Sequence, residues 1–237
     1  MERRDYRKDL RRNFRMRQGF FERVSLNTLL ILINVIVFIL VIILKFFVNE
    51  EVLVMWLAVN PSLFLQGFVW TLLTSMFVHA NFSHLFLNMI SMFFVGGFVE
   101  RLIGRKRYFR FYFISGIVAG LFFVGLAYLG QFISNGEAIF GGFSTFAVGA
   151  SGALFGLGGL LAVLIPRLKV LVFFIIPMPM WLAMVVLMFG LWIISIVQGW
   201  PIGNTAHFGG LIVGVIYGFY LRNKYARKVR MLNRMFG

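Results

Sequence analysis

Apolar residues fall into six long runs along this chain, separated by charges, prolines and glycine-rich turns. They predict membrane spans at Leu26 to about Phe47, Leu85–Val99, Phe111–Leu129, Ser151–Ile165, Trp181–Val197 and His207–Leu221. Several of these runs approach the roughly 20 apolar residues that a helix needs to cross a bilayer. Asn34 lies inside the first span and is expected to face protein, because an unpaired amide in hydrocarbon is costly. Residues 49–83 are also apolar, but Asn60-Pro61 and Gly67 break them up. Their tryptophans, Trp56 and Trp70, favour the membrane interface, so this segment is expected to lie partly embedded in the outer leaflet. Residues 130–150 read as a Gly-, Ser- and Phe-rich loop, and 198–205 as a short loop. Residues 170–180, with Pro177 and Pro179, read as an apolar connection or a re-entrant segment. The expected fold class is an all-α polytopic membrane protein, a six-helix bundle with a membrane-embedded first loop.

Composition agrees with that pattern. Of 237 residues, 60% are hydrophobic and 13% charged, against roughly 45–50% apolar content in soluble domains. With no cysteine, disulfides, a thiol nucleophile and thiolate metal sites are excluded. The net charge of +15 raises nucleic acid as a partner. The basic residues sit beside membrane spans rather than on a folded polar face, so membrane lipid is the expected contact. Every Lys and Arg except Lys45 falls in a presumed inner segment. That bias predicts both termini on the cytoplasmic side. The chain divides into a basic tail (1–24), a six-span domain (25–221) and a second basic tail (222–237).

The second, fourth and sixth spans share an oddity. Each has about 15 residues between its outer polar residue and its first inner charge or proline, or about 22 Å of helix. A hydrocarbon core is about 30 Å thick. Their outer ends, at His84, Ser151 and His207, are therefore expected at similar depth, below the outer surface. Polar groups at that depth are tolerated where they line a wet cavity.

The residue types suggest chemistry. Ser151 stands between Gly149-Ala150 and Gly152, at the start of an apolar run. A serine becomes a nucleophile when a base takes its proton, and His207 opens the sixth span at the same depth. Gly210, Gly214 and Gly218 on one span, and Gly152 and Gly156 on the other, are small residues at the spacing that lets helices pack closely. His84 and Asn88 share a helix face and can donate hydrogen bonds to an oxyanion. The Ser151 backbone N–H, at a helix N-terminus, adds a further donor. His79 lies just outside that span, placed to orient the loop or the site. No Asp or Glu is placed to orient His207, so catalysis would rest on a Ser–His dyad. A channel mouth or transporter vestibule satisfies the same geometry, and His79, His84 and His207 together would suit a zinc site. The serine chemistry itself needs no metal and no cofactor. The oligomeric state is not legible.

Taken together, His79-Ala-Asn-Phe-Ser-His84-Leu-Phe-Leu-Asn88, Gly96-xxx-Glu100, Gly149-Ala-Ser151-Gly152 and Ala206-His207-Phe-Gly-Gly210-xxx-Gly214 closely resemble the rhomboid intramembrane serine proteases. The resemblance spans about residues 26–221, in the family's order. It implies hydrolysis of peptide bonds in transmembrane segments of other proteins, near the outer face. Ser151 would be the nucleophile, His207 the base, and His84, Asn88 and the Ser151 backbone the oxyanion hole. It further implies that the fifth span is a mobile wall admitting substrate, and that 198–205 cap the site. Two positions depart from the family pattern. Trp70-Thr71 stands where many members have Trp-Arg, and Phe155 where some bacterial members have Tyr. Phe155 can pack on His207 but offers no hydroxyl.

Overall fold

The computed structural model describes residues 24–172, 175–199 and 203–236. Nearly all of the basic stretch 1–24, and residues 200–202 of the short loop before His207, lie outside them. Among the described residues, four helices are long and apolar enough to cross a membrane. These are α1 (Leu26–Leu44), the continuous helix Phe82–Ile103, α7 (Arg105–Gly130) and α10 (Met180–Gln198). A shorter apolar helix, α9 (Ser151–Leu164), runs through the centre. Beside it lies α11 (Asn204–Lys224).

Each end has a local cause. Ser25 caps α1, its Oγ accepting the Thr28 N–H. Asn27, Leu30 and Asn34 are the buried residues of α1 and form one stripe, with Leu26, Ile31, Val35 and Phe38 partly buried against the core beside it. The buried Asn34 amide donates to the Leu30 carbonyl. The helix Phe82–Ile103 has three parts: α5 (Phe82–Ser91), a π-helical turn (Met92–Gly96) and α6 (Gly97–Ile103). Gly104, at φ +84°, separates it from α7.

Buried polar groups tie these helices together. The Glu100 carboxylate accepts the backbone N–H groups of Leu26 and Asn27 at 2.9 and 2.8 Å. Those donors open α1 and have no partner within their own helix. Asn27 Nδ2 donates to the Met92 carbonyl at the start of the π turn, and the Tyr108 hydroxyl donates to Asn27 Oδ1. A Cβ on Gly96 would collide with that Asn27 oxygen.

Residues 49–83 hold three short helices: α2 (Glu50–Leu57), α3 (Pro61–Leu65) and α4 (Thr71–Thr74). Trp56 and Trp70 stack at 5.3 Å, and the Trp70 indole donates to the Trp56 carbonyl. Thr71, buried, donates to the Phe68 carbonyl at 2.6 Å, and Thr74 to the Leu57 carbonyl. A further short helix, α8 (Gly136–Phe140), lies in the 130–150 loop.

Two expectations need correction. The chain is not wholly helical: β1 (Lys169–Val172) and β2 (Ile176–Pro179) pair antiparallel, so the apolar connection expected over 170–180 is largely a hairpin. Pro177 and Pro179 disfavour helix there, and neither has an N–H for one. The second and sixth spans are not short. They extend over 22 and 21 residues, because the former, capped by Asn81, begins three residues before Leu85 and charged residues continue both at their C-terminal ends. Of the three, α9 alone is short, at 14 residues. The segment after Arg222 continues α11 to Lys224 and then forms α12 (Ala226–Phe236). That helix docks through buried Val229 and an Asn233 amide that donates to the Leu164 carbonyl.

Glu100→Gln removes one of two charged acceptors and is expected to cost about 1–3 kcal/mol of stability. Thermal unfolding in detergent checks this, with Arg101→Gln, an exposed neighbour, unfolding as the parent does.

Candidate active site

The site forms where the N-terminal ends of α9 and α11 meet. Close approach is enforced by glycine. A Cβ on Gly210 would collide with the Gly152 carbonyl, and one on Gly214 with the Gly156 carbonyl. A Cβ on Gly159 would lie 2.7 Å from the Leu211 carbonyl. The two backbones therefore touch directly along one face, as small residues at this spacing permit in membrane helices. On its other side, α9 rests on α7. A Cβ on Gly152 would lie 2.6 Å from the Ala119 methyl, and one on Gly156 would collide with the Ser115 hydroxyl.

That packing brings Ser151 Oγ within 2.8 Å of His207 Nε2. Phe155, one turn after Ser151, stacks on the His207 ring at 4.4 Å and 14° between planes. His207 is buried, and among the described residues its Nδ1 has no hydrogen-bond partner.

The approach to Ser151 is held from the first loop. Val59 and Ala147 exchange backbone hydrogen bonds, and the Gly149 N–H donates to the Ser75 carbonyl at 2.8 Å. Gly149 adopts φ +118°, and a Cβ there would lie 2.8 Å from the His84 ring. Glycine is thus required twice over, by backbone conformation and by space.

His84 sits in the first turn of α5. Its backbone N–H is capped by the Asn81 side chain, and its ring faces Gly149. Asn88, one turn on and buried, donates one amide hydrogen to the His84 carbonyl at 2.8 Å. Its Oδ1 has no partner among the described residues. His79 is buried edge-on against His84 at 5.1 Å between ring centres. The structure thus gathers Ser151, His207, Phe155, His84, Gly149, Gly152 and Gly210 at one place, with Asn88 a turn below and His79 behind His84.

Sequence reasoning did not reach Ser75, Ala147, Ser115 or Ala119. The first two act through backbone atoms, which no side-chain pattern records. The last two carry a readable signal: Ser115-Gly116 and Ala119-Gly120 repeat small residues four apart on α7.

Comparison with known proteins agrees with this architecture. The Rhomboid domain matches residues 66–224. Rhomboid protease AarA of Providencia stuartii is 31% identical over 204 residues, covering 81% of this chain and 71% of that protein. Rhomboid protein 1, mitochondrial, of Saccharomyces cerevisiae is 30% identical over 152 residues, covering 64% of this chain. Inactive RHOMBOID-like protein 8 of Arabidopsis thaliana is 41% identical over 73 residues, covering 31%. The chain spans 41% of the yeast protein and 21% of the plant one. The chain belongs to the rhomboid family and is a multi-pass integral membrane protein.

Gly210→Ala is expected to push α11 off α9 and cost about 1–3 kcal/mol through overpacking. It should also slow the reaction of Ser151 with a fluorophosphonate. Gly125, with open space around its Cβ position, is the control, and Gly125→Ala should change neither thermal unfolding nor labelling.

Proposed function

We propose that this chain is an intramembrane serine endopeptidase that cleaves transmembrane segments of other membrane proteins near their outer ends. The observation that carries the reading is the 2.8 Å approach of Ser151 Oγ to His207 Nε2, inside a bundle of the rhomboid family. In this reading α11 is the last of six spans, both termini are cytoplasmic, and the site opens outward through a wet cavity in the cell membrane. Residues 25–221 form the protease domain between basic tails at 1–24 and 222–237.

The chemistry follows from the placement. His207 takes the Ser151 proton as Oγ attacks the scissile carbonyl carbon. Negative charge then develops on the carbonyl oxygen. The Ser151 backbone N–H, the His84 ring N–H and the free Asn88 amide hydrogen are the donors available to it. His207 returns its proton to the leaving amine, and water, deprotonated in turn by His207, releases the acyl group.

With no carboxylate at Nδ1 among the described residues, the imidazolium formed during the reaction leans on another group. The Phe155 ring lies face to face with His207, and an aromatic face attracts a cation by about 0.5–2 kcal/mol. A peptide bond within a helix is shielded, so a cleavable span must unwind locally. Substrates with small or helix-breaking residues near their outer ends are favoured. Family membership supports α10 as the wall through which substrate enters and the connection between α10 and α11, shorter than the expected 198–205, as the cap.

The test is cleavage of a model single-span substrate by purified protein in detergent. Ser151→Ala and His207→Ala should each lose at least about a thousandfold in rate. Equal cleavage by Ser151→Ala would sink the mechanism. Phe155→Leu should keep the fold and lose about tenfold in kcat with little change in KM.

A further inference from the structure

At the end of the bundle away from Ser151, about 25 Å along α11, three cations from three helices converge on one ring. Arg107 of α7 lies 5.3 Å from the Tyr225 ring centre, Lys224 of α11 lies 6.0 Å away and Lys228 of α12 lies 5.9 Å away. Arg107 donates to the Tyr225 hydroxyl at 2.8 Å, and Lys224 to the Tyr220 hydroxyl at 2.8 Å. All three cationic side chains are exposed. Among the described residues the sole ion pair is Lys45–Glu50, so no carboxylate balances this cluster.

Cations held this close repel one another, and an anion between them relieves that. Each phenol oxygen, while accepting a cation's hydrogen bond, still has its own O–H to donate. The donors therefore suit an oxygen-rich anion. The neighbouring surface says what else the ligand carries. Ile216, Tyr220 and Lys224 fall at successive turns of α11 and share a face. Ile216 is 65% exposed and Tyr220 52%. The face passes from lipid-exposed apolar surface to cation within two turns. A ligand matching both ends has a phosphate head and an acyl tail.

We propose that Arg107, Lys224 and Lys228, with Tyr220 and Tyr225, hold the headgroup of an anionic phospholipid whose acyl chain lies along the Ile216–Tyr220 face. The lipid joins α7, α11 and α12 at the inner membrane edge. Free phosphate satisfies the cations alone and leaves the apolar face unused.

Native mass spectrometry of the full chain in detergent, with phosphatidylglycerol and phosphatidylcholine added in equal amounts, tests this. The parent protein should retain phosphatidylglycerol preferentially. Arg107→Gln/Lys224→Gln/Lys228→Gln should lose about tenfold or more of that preference, since each cation near an anionic lipid contributes separately. A control with the same charge removed elsewhere, Arg101→Gln/Arg167→Gln/Arg234→Gln, should keep it within about twofold. Thermal unfolding shows that both variants are folded. If the triple variant is not, Lys228→Gln alone should lose about threefold. Retention by a folded cluster variant, equal loss in the control, or displacement of the lipid by excess inorganic phosphate would each overturn the assignment.

Discussion

Direct backbone contact between α9 and α11 is the constraint on which the rest of the structure depends. Gly210 meets the Gly152 carbonyl and Gly214 the Gly156 carbonyl, with no room for a methyl group at either place. Lipid tails are as apolar as leucine, so burial of apolar area does not drive helices together in a bilayer as it does in water. Shape and dispersion must do so, and flat glycine faces allow the closest approach. The 2.8 Å Ser151–His207 pair is a product of that approach. The two residues are 56 positions apart in sequence, and their side chains are short; helices at an ordinary separation would leave them apart.

Several buried polar side chains elsewhere in the bundle satisfy backbone atoms. Glu100 fills the open N-terminus of α1, and Asn27 donates to the Met92 carbonyl at the π turn, which also accepts the Gly97 N–H. Asn34 and Asn88 each bond back to a carbonyl one turn earlier. Within hydrocarbon an unsatisfied backbone group costs several kcal/mol, so this use of polar side chains is expected. The network locks α1, Phe82–Ile103 and α7 into one frame. α9 rests on that frame through Ser115 and Ala119.

The sequence revealed the family and most of the helices, because apolar runs and motif order are properties of side chains. It was less informative at the ends. Glu100 was read as a span terminus, whereas buried and hydrogen-bonded it lies inside a continuing helix. Such charges make the second, fourth and sixth spans look equally short in the sequence, whereas in the structure α9 alone is short. Pro177 and Pro179 marked the connection before α10, but hairpin pairing is long-range and was not legible. The candidate residues were readable from type and spacing. The contacts that hold them, such as the Ser75 carbonyl on the Gly149 N–H, run through backbone and leave no trace in composition.

The π turn at Met92–Gly96 has a consequence for how this helix could have arisen. Such a turn holds one residue more than an α-helical turn, and one residue corresponds to about 100° of rotation. His84 lies before it, its ring against Gly149 at the entry to α9, while Glu100 lies after it, directed at α1. An uninterrupted α-helix carrying the same residues could aim one of them correctly and would turn the other about 100° away. The extra residue works as a phase shifter between two halves with separate obligations. Selection could thus adjust the N-terminal half of this helix without disturbing its grip on α1.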